Sequence, residues 1–336
     1  MPIHQQFSLK KHNTFGFDVS AQYYANPKTI EEILDIFSDE HWRSTPILII
    51  GKGSNILFRS NFEGLVIHPS IQGVELVSED TNYVYLRVGA GVTWDDFVAY
   101  SVKQGWGGIE NLSLIPGSVG AAPIQNIGAY GVEVKDCIYQ VEAFDYQQMR
   151  FLSFPNQECA FGYRNSIFKQ ELKGRIIITH VTFRLQKQPL FSTRYTDVEE
   201  ELAKYTDINL QNIREAIIAI RRRKLPDHFV TGNAGSFFKN PIVPSSLANS
   251  IKQQYGNIKI FPEDSDNVKI PAAWLIEQCG WKGKRVGNVG VHTNQALVLI
   301  NHGNGTGQEV LQLAKAIQES VFNTFSIHLE MEVNVV

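Results

Sequence analysis

Residues 115–131 read IPGSVGAAPIQNIGAYG and constrain the fold more than any other stretch of this sequence. Glycines alternate here with serine and alanine, so few side chains project from the backbone. Such a backbone permits close approach of a large planar or phosphorylated ligand. A segment of this length without strong helix or strand signals is uncommon unless it is functional. Because Ile, Val and Tyr are embedded in it, a merely flexible connection fits poorly. We interpret residues 115–131 as a ligand cradle, called the cradle below.

A second glycine-rich stretch, GKGSN at residues 51–55, lies upstream and is called the GKGSN loop below. It follows PILIIG at 46–51, an apolar run that predicts a buried strand because it is too short for a helix. Two glycines, a cation and two short polar side chains after a strand can direct backbone N–H groups at a phosphate. The loop matches neither GxGxxG nor GxxxxGK[ST]. On these residues alone, an ordinary tight turn remains an alternative.

Outward from these two stretches the sequence predicts mixed helix and strand. Runs rich in β-branched residues and bounded by Gly, Asn, Asp or Pro predict strands. These predicted strands cover 65–68, 84–88, 141–144 and 176–185, and an alternating pattern predicts a last strand near 327–335.

Three amphipathic helices are predicted from caps and periodicity. Thr93 with Asp96 resembles a capping box and begins a helix that ends near Gly105. A second helix begins at Asn209, and a third begins at Thr306 with Glu309 as its capping partner. The second carries one apolar stripe of Ile213, Ala216, Ile217 and Ile220. It ends in Arg221–Lys224, where we expect the three arginines to be solvated or to complement the helix dipole.

Composition places the chain among folded globular proteins. Of its 336 residues, 43% are hydrophobic and 19% are charged, so a core can form and the length allows two or three domains. Lys and Arg number 31 against 34 Asp and Glu, which gives a net charge of −3. Because no basic field attracts phosphates, a generic nucleic-acid binder is excluded.

Cysteine, histidine and hydropathy patterns indicate the compartment. The 3 cysteines are far apart without a CxxC pair, which predicts neither a disulfide framework nor a zinc knuckle. The 9 histidines form no HExxH motif, so we expect no metal site. No signal-peptide core and no run of about 18 apolar residues occurs. We expect a cytoplasmic protein without membrane insertion.

The motifs, taken in order, resemble the UDP-N-acetylenolpyruvoylglucosamine reductase family. Those motifs are GKGSN at 51–55, IPGSVGAAPIQNIGAYGVE at 115–133, FGYRNSIF at 161–168, KLPD at 224–227, GNAGSFFKNP at 232–241, QALVLIN at 295–301 and LEMEV at 329–333. The resemblance extends from about residue 15 to the C-terminus. The sequence departs from the family's usual GGGSN at Lys52, which leaves open whether Lys52 contacts a cofactor phosphate or solvent. The insert containing Tyr195 resembles the longer of the family's two types.

The resemblance implies the fold, the reaction and the cofactors. The expected fold is α+β, a vanillyl-alcohol-oxidase/PCMH-type FAD-binding fold plus a C-terminal α+β substrate-binding domain. Residues 1–68 would form one FAD-binding subdomain completed by 320–336, 69–190 a second, and 191–319 the substrate domain. The expected reaction is the reduction of UDP-N-acetylglucosamine-enolpyruvate to UDP-N-acetylmuramate for bacterial peptidoglycan. Bound FAD would mediate it, with NADPH as hydride donor and a nucleotide sugar as substrate.

The two glycine-rich stretches suit FAD, which carries two phosphates and a flat ring. The resemblance places FAD contacts in both stretches, at Gly51, Gly53, Ser54, Asn55, Pro116, Gly117, Ser118, Gly120, Ala121, Gln125, Asn126, Gly128, Ala129 and Gly131.

Reduction of an enol ether of pyruvate needs a cation for the carboxylate and an acid for carbon. The resemblance assigns catalysis to Arg164, whose planar fork pairs with a carboxylate, and to Ser236 as proton donor. Glu332 matches the family's active-site glutamate, although strand alternation alone would place Glu330 on the same face. Taken without the motifs, these residues would read as a surface cation, a turn serine and solvated carboxylates.

Five further residues match substrate-contacting positions of the family. Tyr195 could lie over the diphosphate or stack on nicotinamide, and Asn240 and Gln295 could bond sugar, phosphate or carboxylate. The complete set is Tyr163, Tyr195, Lys224, Asn240 and Gln295.

The sequence leaves two alternative functions open. A flavin oxidase of the same fold would reoxidise the cofactor with dioxygen, and a regulatory flavin- or nucleotide-binding protein would keep the pocket without turnover. The joint presence of Arg164, Ser236 and Glu332 in matching motifs argues against the regulatory protein.

Overall fold

The computed structural model describes residues 1–256 and 258–336, which form two compact units. Unit 1 contains Met1–Ser8, Ser20–Gly53 and Phe62–Arg222. Unit 2 contains Leu9–Val19, Ser54–Asn61 and Arg223–Val336. The three-region domain division expected from the resemblance stays a prediction.

The strands and helices are numbered along the chain. The first ten strands are β1 (His4–Ser8), β2 (Ser20–Ala25), β3 (Ile47–Ile49), β4 (Ile56–Leu57), β5 (Phe62–Ile67), β6 (Val74–Glu79), β7 (Tyr83–Gly89), β8 (Gly128–Ala129), β9 (Val132–Glu133) and β10 (Ile138–Asp145). The others are β11 (Arg150–Pro155), β12 (Ile176–Gln186), β13 (Gly232–Ser236), β14 (Ile242–Pro244), β15 (Phe261–Pro262), β16 (Asn267–Lys269), β17 (Arg285–Val286), β18 (Val289–Val291), β19 (Val298–Asn301) and β20 (Asn334–Val335). The helices are α1 (Ile30–Ser38), α2 (Glu40–Ser44), α3 (Trp94–Lys103), α4 (Thr196–Leu202), α5 (Leu210–Lys224), α6 (Ser245–Tyr255), α7 (Ala272–Gln278) and α8 (Gly307–Phe325).

Unit 1 contains two larger sheets. The first has the order β1-β2-β5-β3, in which β5 pairs in parallel with both β2 and β3. Ile33, Ile36 and Phe37 of α1 are buried against this sheet in one apolar cluster. The second sheet is antiparallel with the order β11-β10-β12-β7-β6. Strands predicted within 46–51, 65–68, 84–88, 141–144 and 176–185 are therefore confirmed.

In unit 1, the predicted apolar face of α5 is confirmed, but the predicted cap of α3 is not. Ile213, Ala216, Ile217 and Ile220 of α5 are all buried, as the apolar stripe predicts. Thr93 is the N-cap of α3, but its side chain makes no capping hydrogen bond among the described residues, so the predicted capping box is wrong. Asp95, the neighbour of the expected capping partner Asp96, binds Arg214 and the Leu114 N–H.

Unit 2 is built on an antiparallel sheet with the order β13-β19-β18-β17 and an apolar core against α7 and α8. Thr306 and Glu309 form the predicted capping box at the start of α8. The strand predicted near 327–335 is mostly wrong, because only Asn334–Val335 forms a strand. Met331 makes a single bridge to Phe238, and the chain then pairs in parallel with β4. This change of partner prevents a continuous ladder.

Candidate functional site

Gly51, in the part of the GKGSN loop that belongs to unit 1, packs against the cradle. A Cβ atom built at Gly51 would lie 2.6 Å from Ser118 Oγ and 3.3 Å from Ala121 Cβ, so only glycine allows this approach. A Cβ atom at Gly120 would lie 2.6 Å from Ala90 Cβ. Gly51 and the cradle therefore form one side-chain-poor surface of unit 1. Lys52 is exposed beside it.

Backbone hydrogen bonds hold the cradle on the turn between β7 and α3. Val119 N–H donates to Val92 O and Gly120 N–H donates to Ala90 O, each at 2.9 Å. Trp94 N–H donates to Gly117 O at 3.1 Å. The cradle is thus an ordered irregular segment, and its glycine positions fit a large flat or phosphorylated group that must approach the backbone. The residue types match the FAD expected from the resemblance.

Asn126 joins the cradle to the loop that carries Arg164. Its side chain is buried, with Nδ2 donating to Glu133 Oε2 at 2.9 Å and to Gly162 O at 3.0 Å. Its Oδ1 accepts from Lys135 N–H at 3.0 Å. These three bonds use the side-chain amide within the protein. A contact of Asn126 with FAD would therefore come from its backbone.

Arg164 lies directly on the cradle. Its Nη2 donates to Gly128 O at 2.7 Å and its Nη1 approaches Asn126 O at 3.5 Å. The guanidinium also lies 5.5 Å from the centre of the Tyr163 ring. The sequence motif placed these residues near each other along the chain, and the fold brings the guanidinium to the glycine-rich backbone.

Tyr195 is held beside the same cradle. It is the N-cap of α4, and its ring lies 5.5 Å from the Tyr130 ring at an interplanar angle of 90°. Burial, followed by the negative charge of Asp197, raises the pKa of Tyr195. The Tyr195 hydroxyl therefore stays protonated at neutral pH and can serve as a hydrogen-bond donor.

Arg221 does not behave as the sequence predicts. Its Nε donates to Leu114 O at 3.2 Å. Burial lowers the pKa of Arg221, opposed by the attraction of Tyr130 and Asp95. The expectation that Arg221 is solvated or only complements the dipole of α5 is therefore wrong, because its side chain makes a tertiary contact with Leu114. Arg222 and Arg223 are exposed.

In unit 2, Ser236 lies at an irregularity in the pairing of β13 with β19. Ser236 pairs with Val298, but the register shifts between Asn233 and Ser236. Gly235 has a φ of +68° and donates its N–H to Asn233 Oδ1 at 2.9 Å. Phe237, the next residue, is fully buried. The local chain thus anchors the backbone on both sides of a half-buried serine.

The two candidate glutamates occupy different environments in unit 2. Glu330 is exposed and forms an ion pair with Lys239. Glu332 is half-buried, its N–H donates to Phe237 O at 2.8 Å, and its carbonyl accepts from Asn55 Nδ2 at 3.2 Å. The Glu332 backbone is therefore bonded to the residue that follows Ser236, whereas the Glu330 carboxylate is paired with the Lys239 ammonium. This difference favours Glu332 over Glu330.

The other predicted unit 2 residues lie at turns and helix ends. Asn240 Oδ1 accepts from Ala272 N–H at 2.9 Å at the start of α7, so a ligand contact of Asn240 would use Nδ2. Gln295 lies in the β18–β19 turn and its Oε1 accepts from Leu297 N–H at 3.3 Å. Lys224 ends α5 and is half-buried.

His292 is a residue to which the sequence assigned no role. Its N–H donates to Val298 O at 2.9 Å, so His292 and Ser236 both neighbour Val298. Its Nδ1 is buried and has no hydrogen-bond partner among the described residues. Burial lowers the pKa of His292, which favours the neutral imidazole. Only the HTNQAL sequence around it, next to Gln295, could have suggested this position.

Residues 1–256 and 258–336 contain no group of three or more His, Cys, Asp or Glu side chains suited to a metal ion. The helices described in this structure include none long and apolar enough to cross a membrane.

Known proteins resemble the chain over its length. An FAD binding domain model matches residues 21–147, and a model of the UDP-N-acetylenolpyruvoylglucosamine reductase C-terminal domain matches residues 226–336. A UDP-N-acetylenolpyruvoylglucosamine reductase from Amoebophilus asiaticus (strain 5a2) is 47% identical over 100% of both chains. Another from Bacteroides fragilis (strain YCH46) is 46% identical over 99% of both.

The fold also matches a solved structure. The reductase of this name from Thermus caldophilus superimposes with a TM-score of 0.71 at 24% identity, covering 100% of this chain and 99% of that one. With the FAD binding domain match, this superposition confirms the α+β fold expected for an FAD-binding region followed by a C-terminal α+β domain.

Proposed function

The chain belongs to the UDP-N-acetylenolpyruvoylglucosamine reductase family, and from this premise we propose how its own residues carry out the reaction. It is an FAD-dependent oxidoreductase that reduces UDP-N-acetylenolpyruvoylglucosamine in peptidoglycan synthesis. The observation that carries the residue assignments is the Arg164 guanidinium bonded to Gly128 O in the cradle. It brings a permanent cation to the surface that fits the flavin.

FAD, when bound, supplies hydride to the enolpyruvyl double bond after taking it from NADPH, the proposed donor. The protein's part is to hold FAD along backbone that side chains do not obstruct. We assign this role to the GKGSN loop residues Gly51, Gly53, Ser54 and Asn55, and to Pro116, Gly117, Ser118, Gly120, Ala121, Gln125, Asn126, Gly128, Ala129 and Gly131 of the cradle. Lys52 is not included, because its side chain is exposed.

Arg164 binds the substrate carboxylate. Negative charge increases there as the enolpyruvyl carbon accepts hydride, and a preorganised guanidinium stabilises that charge without reorganising. The bond from Nη2 to Gly128 O fixes the guanidinium plane, since one edge is already committed to the backbone. We assign the remaining donors of the fork to the substrate carboxylate.

Ser236 donates the proton to the neighbouring carbon. A serine hydroxyl is a weak acid, so its position must be fixed and charge developing nearby must favour the transfer. The bulge at Ser236 and the buried Phe237 provide that rigidity. Glu332, whose backbone is bonded to Phe237, orients the hydroxyl or polarises the enol.

The nucleotide sugar is bound by the five polar residues assigned from the resemblance. Lys224 pairs with the diphosphate, and the protonated Tyr195 hydroxyl donates to it. Tyr163, Asn240 through Nδ2, and Gln295 complete the set. We place the reaction in the cytoplasm, a choice supported by three cysteines that remain thiols, Cys137, Cys159 and Cys279.

The test compares Ser236→Ala with wild type in the FAD-loaded enzyme under anaerobic stopped flow. NADPH should bleach the oxidised-flavin absorbance of the variant at the wild-type rate. Addition of UDP-N-acetylenolpyruvoylglucosamine should restore that absorbance about 10²–10⁴ times more slowly, the usual contribution of a general acid. Ser250→Ala, in α6, is the matched control, because the Ser250 hydroxyl bonds only a carbonyl of its own helix in the described contacts.

Equal loss of both half-reactions in Ser236→Ala, or wild-type recovery of the absorbance, would contradict the proton-donor role. Recovery in wild type that requires dioxygen and ignores the enolpyruvyl substrate would instead support the flavin oxidase alternative.

A further inference from the structure

Asn111 bridges two backbone segments of unit 1 that are distant in sequence. Its side chain is fully buried, at 0% exposure. Nδ2 donates to Ser192 O at 2.8 Å and to Tyr130 O at 3.1 Å. Because both partners are carbonyls, only the amide NH₂ group can face them, which determines the orientation of the side chain. Oδ1 is left buried without a hydrogen-bond partner among the described residues.

An unpaired buried acceptor is costly and uncommon in folded proteins. Here the unpaired acceptor belongs to Asn111, the residue that connects the cradle to the segment before α4. Local departures of this kind are expected at functional positions. Asn111 is therefore a candidate for more than packing.

The segment that Asn111 holds, residues 189–195, has no helix or strand of its own. β12 ends at Gln186 and α4 begins at Thr196, so the position of this segment depends on side contacts. Pro189 packs where Gly107 lacks a side chain, and a Cβ atom there would collide with the proline ring. Leu190 is 85% exposed, so the intervening chain has little apolar anchoring.

The other end of the bridge is rigid. Tyr130, whose carbonyl accepts from Asn111, also interacts electrostatically with Arg221 through its side chain. Arg221 in turn donates to Leu114 O. The Tyr130 ring meets the Tyr195 ring at right angles, a favourable aromatic geometry. The Tyr195 ring therefore packs against the held Tyr130 ring as long as the 189–195 segment keeps its position.

We propose that Asn111 is a positioning residue for the reductase, because its two hydrogen bonds hold residues 189–195 so that Tyr195 is preorganised for the nucleotide diphosphate. The proposal rests on the proposed substrate contact of Tyr195. Without the bridge, the segment samples other conformations, and apparent substrate affinity falls in proportion to the competent fraction. The chemical step after binding, and reduction of the flavin by NADPH, do not depend on the bridge.

The test uses Asn111→Leu, which keeps the branched shape of the side chain, although it is larger, and cannot donate a hydrogen bond. In the FAD-loaded enzyme, KM for UDP-N-acetylenolpyruvoylglucosamine should rise about tenfold, while kcat and the rate of flavin reduction by NADPH stay within about twofold of wild type. Deuterium uptake at the amides of residues 190–195 should increase. Asn111→Ser, whose shorter side chain cannot span both carbonyls, should give the same pattern if the leucine variant fails to fold.

Asn156→Leu is the matched control. Asn156 Nδ2 also bridges two carbonyls of unit 1, those of Lys135 and Ile138, both at 2.7 Å, but it does not contact residues 189–195. This variant should lower the melting temperature without a selective rise in KM for the nucleotide sugar.

A double-mutant cycle with Tyr195→Ala separates the two proposals. If Asn111 acts through Tyr195, Asn111→Leu should change KM little in the Tyr195→Ala background. Unchanged KM in Tyr195→Ala alone would refute the substrate contact of Tyr195. The Asn111 proposal alone would be overturned if Tyr195→Ala raised KM while Asn111→Leu kept the wild-type KM and deuterium uptake. Additive effects of the two substitutions would overturn it as well.

Discussion

At the scale of single residues, Arg164 combines an unusual backbone with a specific side-chain position. Its φ of +52° lies in the left-handed region, which costs a non-glycine residue about 1 kcal/mol. The tight turn formed by the mutual N–H to carbonyl bonds of Gly162 and Asn165 holds it there. Strain of this kind persists where surrounding contacts determine the conformation. The turn directs the guanidinium to Gly128 and Asn126.

Arg164→Lys should keep the charge and lose the fork. A lysine ammonium is a point charge and cannot bond Gly128 O while presenting a planar pair of donors to a carboxylate. We expect kcat to fall about 10²–10³-fold, the usual loss for one preorganised donor in a transition state. Steady-state kinetics on protein of measured FAD content would check it.

The control for Arg164→Lys is Arg175→Lys. Arg175 also binds through two nitrogens, at 2.9 and 2.7 Å from Asp145 Oδ2, but in the second sheet of unit 1. It should lose stability and keep kcat. Wild-type kcat in Arg164→Lys would refute the electrostatic role.

At the scale of elements, α3 and α5 are joined by Asp95 and Arg214. The Arg214 nitrogens donate to Asp95 at 2.6 and 2.9 Å, and Leu114 N–H donates at 2.6 Å. Burial alone would raise the pKa of Asp95, but hydrogen bonds and charge from Arg214, with the Leu114 N–H, lower it overall. The periodicity of α5 predicts its buried apolar face, which packs against Val198 and Leu202 of α4. The ion pair adds a contact between α5 and α3 that the periodicity does not predict.

Arg214→Gln should lower the free energy of unfolding by about 1–2 kcal/mol at pH 7. This loss is smaller than that for a fully buried ion pair because both side chains are partly exposed to solvent. The pKa of Asp95 is lower in the folded state, so the stabilisation is complete above the unfolded pKa of about 4 and is lost as pH falls below it. Urea unfolding should therefore show a smaller difference from wild type at pH 3 than at pH 7.

Arg222→Gln, on an exposed position of α5, is the control and should change stability by less than about 0.5 kcal/mol at either pH. A deficit for Arg214→Gln that is as large at pH 3 as at pH 7 would mean that packing rather than the charge of Asp95 explains it.

At the scale of the whole molecule, the last residues pair with a strand near the N-terminus. β20 lies parallel to β4, Val336 N–H donates to Leu57 O at 2.9 Å, and Arg59 N–H donates to Val336 O at 2.8 Å. Asn334 bonds the carbonyl of Asn55, which belongs to the GKGSN loop. The carboxyl end of the chain thus supports residues that we propose to contact FAD.

Removal of residues 334–336 should lower the melting temperature by about 5 °C or more, because several backbone hydrogen bonds are lost together. Kd for FAD, measured by flavin fluorescence, should rise because the Asn55 carbonyl loses its hydrogen bonds from Asn334. Val335→Thr keeps the backbone bonds at an exposed position and should change neither quantity. An unchanged Kd in the shortened protein would show that β20 does not support the FAD loop.

The sequence by itself determined features that depend on near neighbours along the chain. The apolar stripe of α5, the capping box of α8, the β-branched strands and the glycine-rich cradle all depend on spacing within a few residues. The ordered motifs identified the family and its reaction. Arg164, Ser236 and Glu332 could be nominated because each lies in a motif.

Only the tertiary structure decided which partner each polar group has. It separates Glu330, paired with Lys239, from Glu332 beside Phe237, and it covers Arg221, which the helix pattern assigned to solvent. It also makes Asn111 and Asn126 connectors and moves the end of the chain from Phe238 to β4. Periodicity specifies which face of an element is apolar. The hydrogen-bond partner of a buried amide or guanidinium depends on segments brought together only when the chain folds.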